Sequence, residues 1–338
     1  MSSHIKSMDT LRAVAIMSVV LAHTVLSYGA PDYLAPLQFG GTGVDLFFVL
    51  SGWLLGGQLF KELSKDSRVN VRRFWYRRWM RTMPAYYSVL LVICAQNYIT
   101  NPDFHFPWKH FIFIQNYDYP LSFFSVSWSL AVEEQFYLFI APLIAFFARV
   151  KPGVRVLILG ILFFVPLVIR FFGFYEHINE THARLDFCLL GVLLACVKYQ
   201  YGRVWDKLCF VSPYLAGISL VIYLLSFYFR YNPVSWWGDP DKFILALMFG
   251  SWVVFANSSK WASKSLHFPG AYYIATRAYS LYLLHPEVLA LMRIYGADLG
   301  FIEYLLLTVF FGFVASEVLY RVIEKPFMAM RGKFKATA

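Results

Sequence analysis

TLRAVAIMSVVLAHTVLSY, residues 10–28, is long enough to cross a bilayer and carries two groups that hydrocarbon does not tolerate cheaply. A membrane helix needs roughly 20 apolar residues at about 1.5 Å each. The stretch meets that length, yet Arg12 and His23 interrupt it. An ionisable side chain in the bilayer costs about 2.5–3.5 kcal/mol on insertion scales, so each one marks a candidate functional group. At about 100° per residue, the step from Arg12 to His23 returns to within about 20° of the same helix face, some 16 Å further along. Asp9, one turn before Arg12, is placed to cap the helix or to pair with that arginine. Spacing alone leaves open a plainer reading, in which Arg12 snorkels to the surface and His23 is a packed, hydrogen-bonded histidine. With charges inside it and no small-residue cleavage site after it, the stretch reads as a retained span and not as a signal peptide.

The rest of the chain has the same character. Of 338 residues, 59% are hydrophobic, 20% aromatic and only 15% charged, against about 25% charged in a soluble domain. Thirty-four Phe, 23 Tyr and 10 Trp are more than one aqueous core can hide. This composition excludes a soluble enzyme, a disordered chain, a collagen-like fibre and a disulfide-stapled module. Ten apolar stretches fall at approximately 10–28, 44–60, 83–100, 121–148, 154–174, 183–200, 209–230, 242–258, 271–294 and 301–322. The fourth exceeds one crossing, so it either tilts or begins at the interface before Trp128. With the N-terminus inside, the cytoplasmic segments hold 23 of the 30 Lys and Arg residues, eight of them between Lys61 and Arg81. Six fall outside: Lys109, Arg170, Arg184, Arg230, Lys242 and Arg293. The positive-inside rule then predicts an all-α polytopic membrane protein, a bundle of about ten transmembrane helices with both termini cytoplasmic. It also accounts for the net charge of +10 without nucleic acid. Residues 1–338 read as one membrane domain, with no fixed-period repeat. Cys94, Cys188, Cys196 and Cys209 lie in or beside apolar runs, form no metal-type pair and receive no role; no metal site is expected.

Two further constellations carry chemistry. SVSWSLAVEEQFYLFIAP, residues 125–142, sets Glu133 and Glu134 inside an apolar run. Adjacent positions point about 100° apart, so the two carboxylates can face different partners. Ser129, Glu133 and Tyr137 recur every four residues and make one helix face polar. Glu133 counts to a depth similar to that of His23, where a carboxylate could hold the imidazole in one tautomer. A structural hydrogen-bond cluster gluing helices together is the plainer alternative. RRFWYRRWMRTMPAYY, residues 72–87, places Arg72, Arg73, Arg77, Arg78 and Arg81 just before the third span. Such a string anchors topology against anionic lipid. It also suits a phosphate-rich ligand, because guanidinium binds phosphate through two parallel hydrogen bonds. Smaller signals are Asp45 and Ser51 in GTGVDLFFVLSGWLLGG and His285 in AYSLYLLHPEVL.

In this order the motifs resemble the acyltransferase-3 family of integral membrane acyltransferases, in its single-domain O-acetyltransferase-like form. Arg12 and His23 match the family's arginine, ten residues, histidine signature. Gly43 to Gly52 match its glycine-rich segment, and Arg78, Arg81 and Pro84 its arginine pair and proline. The WSLAVEEQFYL, YSLYLLHP and IEKPF stretches complete the likeness, which runs from about residue 6 to 330. The resemblance implies a multi-pass protein of the bacterial inner membrane that moves an acyl group, most often acetyl, from acyl-CoA to a hydroxyl of a glycan or other cell-envelope acceptor. Acyl-CoA is then a donor substrate and no cofactor is permanently bound. His23, Glu133 and Glu134 are the expected catalytic groups, with His23 as base or acyl carrier. Arg12, Arg72, Arg73, Arg77, Arg78 and Arg81 are expected to hold the donor, and Asp9, Asp45, Ser51, Trp128, Tyr137 and His285 to support the site. A secondary transporter or flippase would also use intramembrane His and Glu as a proton relay, but it usually shows repeats and broken helix pairs that this chain lacks.

Overall fold

The structure, a computed structural model, describes residues 6–121, 123–229, 242–258, 262 and 266–331; Arg230, expected at an outer span end, lies outside them. Among the described residues the regular structure is helical, with no strand. Helix α1 spans Lys6–Ser27, and a 3₁₀ segment, Asp32–Thr42, leads into α2, Gly43–Asp66. Then come α3 (Val71–Thr100), the single turn α4 (Trp108–Phe111), α5 (Ser127–Phe146), α6 (Pro152–Phe172) and α7 (Thr181–Gln200). The chain continues through α8 (Gly202–Phe229), α9 (Lys242–Ser258), α10 (Ala271–Tyr295) and α11 (Phe301–Leu319). A π-helical turn, Tyr320–Glu324, joins α11 to α12, Lys325–Met330.

Every expected span coincides with a helix, but several boundaries move: α8 begins seven positions early, at Gly202, α2 runs six positions further, to Asp66, and two other shifts have local reasons. Helix α5 begins at Ser127, so residues 121 and 123–126 of the expected fourth span are not helical. Helix α3 begins at Val71, twelve positions before the expected span, so the arginine string is itself helical. The Asn70 side chain accepts a hydrogen bond of 2.9 Å from the Arg73 amide and caps that end. The helix runs on through Pro84 to Thr100, with Asn101 closing it.

Among the described residues, six segments are long and apolar enough to cross a membrane: 6–27, 32–66, 127–149, 152–172, 202–229 and 301–330. The others are the short α9 and the helices that carry charge inside: α3 with its arginines, α7 with Arg184 and Asp186, and α10 with Arg277. Burial sorts the bundle in the opposite sense. The apolar window of the α2 segment is 72% buried, whereas those of α6 and α8 are 17% buried. Phe164 and Val168 on α6, Phe210 and Ile218 on α8, and Phe310 on α11 are exposed. That outer surface suits lipid, and the polar helices pack behind it.

Helix α2 sits at the centre and packs most extensively on α7. Lipid tails are as apolar as leucine, so helices associate through close van der Waals contact that small residues permit. A β-carbon at Gly52 would overlap the Cys188 carbonyl oxygen, and one at Gly191 would overlap the Val49 carbonyl oxygen and the Trp53 amide. The two backbones are therefore in direct contact, which positions Asp45 and Ser51 on the inner face of α2. Gly191→Ala should destabilise the detergent-purified protein by about 1–3 kcal/mol through overpacking. Gly160→Ala on α6, with nothing within 4 Å of the added methyl, should melt like the wild type. Equal melting of both variants would refute the close approach.

Candidate active site

The polar face of α5 is where the bundle concentrates its charges. Arg78, from α3, donates to the Tyr137 hydroxyl and lies 3.4 Å from Glu133 Oε2. The Tyr137 hydroxyl also bonds Ser51 Oγ on α2 at 2.8 Å. The Trp75 indole N–H donates to the Tyr137 carbonyl at 3.0 Å, so α3 meets α5 over one turn of each helix. Glu134, next in sequence, turns away and accepts from Thr82 Oγ1 at 2.9 Å. The Thr82 carbonyl in turn accepts from Tyr279 on α10 at 2.9 Å. The neighbouring carboxylates thus serve different partners, as their angular offset requires. Glu133 faces a cavity and Glu134 joins α3 to α5.

That cavity, of about 160 Å³, is lined by Arg12, Arg78 and Arg81 on one side and by Ser129, Glu133 and Tyr282 on another. Its remaining wall is largely apolar, with Phe47, Phe48 and Leu54 of α2. Gln58, Arg78 and Arg81 also line a second space of about 490 Å³, with Lys61, Lys65, Arg73, Arg77 and Arg331 around it. The two spaces therefore adjoin, a basic basin leading into a narrower interior. Arg73 is paired with Glu62 at 2.7 Å. Arg72 is exposed and lines neither space. Arg12 is 3.4 Å from Asp9, and Arg81 makes no ion pair with any described residue. Three guanidinium groups and one carboxylate, Glu133, leave the inner cavity with a positive surplus that suits an anion.

His23 lies about three turns further along α1 than Arg12 and faces α10. Its Nδ1 is 2.7 Å from Nε2 of His285, and the two rings are nearly coplanar, with centroids 5.0 Å apart and 13° between planes. The expected carboxylate partner is thus replaced: Glu133 is held by Arg78, whose long side chain reaches in from α3, and α10 supplies a second imidazole instead. Tyr282, one turn before His285, belongs to the cavity wall; its hydroxyl donates to the Val126 carbonyl at 2.9 Å and meets Ser129 Oγ at 2.6 Å.

Asp45 belongs to a separate cluster that sequence reading missed. It is buried and pairs with Arg184 Nη2 at 2.6 Å and with Lys242 at 3.2 Å. Arg170 pairs with the buried Asp186 at 2.7 Å. The Arg184 guanidinium lies 5.1 Å from the centre of the Trp128 ring, which gives Trp128 a cation–π role. The signal was available, since Arg184 and Asp186 stand inside an apolar stretch, as Arg12 and His23 do.

A family model described as an acyltransferase domain (Acyl_transf_3) matches residues 5–321, so the chain belongs to this family of acyltransferases. It is similar to the O-acetyltransferase OatA of Staphylococcus aureus, in strains NCTC 8325 / PS 47 and COL, with 27% identity over 360 residues. It is also similar to the provisionally named O-acetyltransferase SACOL0978 of strain COL, with 27% identity over 363 residues. Each alignment covers 96% of this chain and 57% of the relative, so the chain spans little more than half the length of those proteins. No solved structure matches the chain.

Removing one partner of a buried ion pair strands the other charge, at about 3–5 kcal/mol. Arg78→Ala should therefore lower thermal stability strongly, and the pair Arg78→Met with Glu133→Gln should recover a large part of the loss. If the double variant melts no higher than the single one, the Arg78–Glu133 pairing is wrong.

Proposed function

We propose that this protein is an integral membrane O-acyltransferase that takes an acyl group, acetyl in the simplest case, from acyl-CoA and gives it to a hydroxyl of a glycan or other cell-envelope acceptor. The observation that carries the reading is the basic basin running into a cavity whose polar wall holds Arg12, Arg78, Arg81 and Glu133. A nucleotide with three phosphate groups suits the basin, and a thin pantetheine arm suits the interior. Membership of the family and likeness to proteins named O-acetyltransferases support the same reaction. A proton-coupled transporter or flippase would not need a phosphate basin of this density.

In this reading the ten helices cross the bilayer with both termini cytoplasmic, in a bacterial inner membrane. The CoA phosphates rest on Arg73, Arg77, Arg78 and Arg81, with Arg12 further in. Arg72, outside the basin lining, serves the membrane surface rather than the donor. The thioester reaches the region of Tyr282 and the histidine pair. There the acceptor O–H gives its proton to His23 Nε2 while its oxygen attacks the thioester carbonyl. The C–S bond breaks, and the CoA thiolate takes the proton back from His23, which leaves an ester and free CoA. Glu133 holds Arg78 in place and keeps the cavity wall polar, and Glu134 sets the position of α3.

Two measurements test the proposal. Reporter fusions after Lys61 should read cytoplasmic, and fusions near Asp103 should read external; a reversed pattern would overturn the topology. In sealed vesicles of known orientation, acetyl-CoA on the cytoplasmic face should acetylate a hydroxyl acceptor confined to the opposite face. His23→Ala should lower that transfer by about 10²–10⁴-fold with normal insertion, the usual worth of general base catalysis. Product only when donor and acceptor share one face would exclude transfer across the membrane, and unchanged transfer by His23→Ala would remove His23 from the reaction.

A further inference from the structure

We propose that His285 is the positioning residue of the acyl transfer: it locks His23 as the Nδ1–H tautomer and so leaves Nε2 as the proton-accepting nitrogen. The inference rests on the reading of His23 as the base, and it identifies what orients that base.

The assignment follows hydrogen by hydrogen. His285 Nδ1 lies 2.8 Å from the Tyr282 carbonyl oxygen and 3.3 Å from that of Leu281. A carbonyl only accepts, so Nδ1 of His285 carries the proton, and in the neutral ring its Nε2 is a lone pair. That lone pair is 2.7 Å from His23 Nδ1. Two lone pairs cannot share such a distance, so His23 Nδ1 is the donor. Its Nε2 is then unprotonated. Among the described residues the His23 ring has no other hydrogen-bonding partner, and no carboxylate contacts the pair.

The helix itself supplies the anchor. In an α-helix the Tyr282 carbonyl would accept from the amide of residue 286. Residue 286 is proline, which has no N–H. The carbonyl is therefore released from the helical ladder and taken by the His285 side chain. The adjacent His285 and Pro286 act as a unit, with Pro286 vacating the acceptor and His285 using it. The chain carbonyl–His285–His23 does what a carboxylate does behind a catalytic histidine: it fixes the ring orientation and stabilises the imidazolium as it forms. His285 is 1% exposed and its ring is held edge-on against that of His23, so it cannot swing away without repacking.

The test combines ¹⁵N NMR of the ring-labelled, detergent-purified protein with transfer kinetics. The His23 resonances, assigned by their loss in His23→Ala, should show the Nδ1–H tautomer in the wild type. In His285→Leu that tautomer should no longer be held, and kcat should fall at least about tenfold, a part of the 10²–10⁴-fold worth of the base. KM for acetyl-CoA should stay within about twofold, since the donor rests on the arginines. His285→Gln, whose side-chain oxygen reaches the Nε2 position, should restore the Nδ1–H tautomer and most of kcat. An Nε2–H tautomer in the wild type overturns the proposal without any variant having to fold. An unmoved kcat in His285→Leu, alongside the expected loss in His23→Ala, overturns the positioning role alone. Full transfer by His23→Ala overturns the choice of base and the positioning role together, even with the tautomer as assigned.

Discussion

Arg78 cannot sit in a helical bundle without partners, and the way it finds them organises everything around it. Its guanidinium is drawn to Glu133 and Tyr137, which α5 presents on one face, and Tyr137 is held in turn by Ser51 of α2. Three helices are thereby fixed relative to one another at the level where the cavity lies. Because Glu133 is committed to Arg78, it is not free to serve His23. Because Arg78 has a counterion while Arg81 has none among the described residues, the cavity keeps a positive surplus. A buried ion pair contributes little net stability against a hydrophobic replacement. Its consequence here is geometric: it sets which charge is spent inside the protein and which is left for a ligand.

The bundle separates two kinds of helix. The most lipid-like, α6 and α8, carry few of the site residues and present their apolar faces outward. The helices that do worst as membrane spans by composition, α3, α7 and α10, bring Arg78, Arg184 and His285 to the interior. Two of the buried charges are met by partners from another element, Arg184 by Asp45 and Arg170 by Asp186. Three patches of polar groups bear on the site. One is the basic basin with its cavity, another the histidine pair beside Tyr282, and the third the Asp45 cluster under Trp128. Tyr282 touches the first two, so the cavity and the proposed base share a wall.

The helices, their order and the polar faces were legible in the sequence, because helical periodicity is local. Arg12 and His23 on one face of α1 and Ser129, Glu133 and Tyr137 on one face of α5 follow from a repeat of about 3.6 residues. The glycines that let α2 approach α7 were visible as a motif, although not the backbone atoms they meet. The released Tyr282 carbonyl was implicit in Pro286 for the same local reason, since a missing N–H always frees the carbonyl one turn earlier. The start of α3 was not legible from hydropathy, since an arginine-rich first half looks like a loop until Asn70 is seen to cap it.

Partner choice was decided only by the tertiary structure. His23 meets His285 across 262 positions of sequence, and Asp45 meets Arg184 across 139. A depth count along each span brought Glu133 level with His23 but could not give the rotation of one helix against another. Rotation is set by packing, by the glycine contacts between α2 and α7 and by the reach of Arg78 from α3. A difference of about 100°, one residue on a helix, suffices to exchange a carboxylate for an imidazole as the neighbour of a base. The sequence alone determined which residues are available and on which face of which helix they stand. The pairing of those faces, and with it which group orients His23, came from side-chain packing between helices distant in the chain, an interaction that no local periodicity encodes.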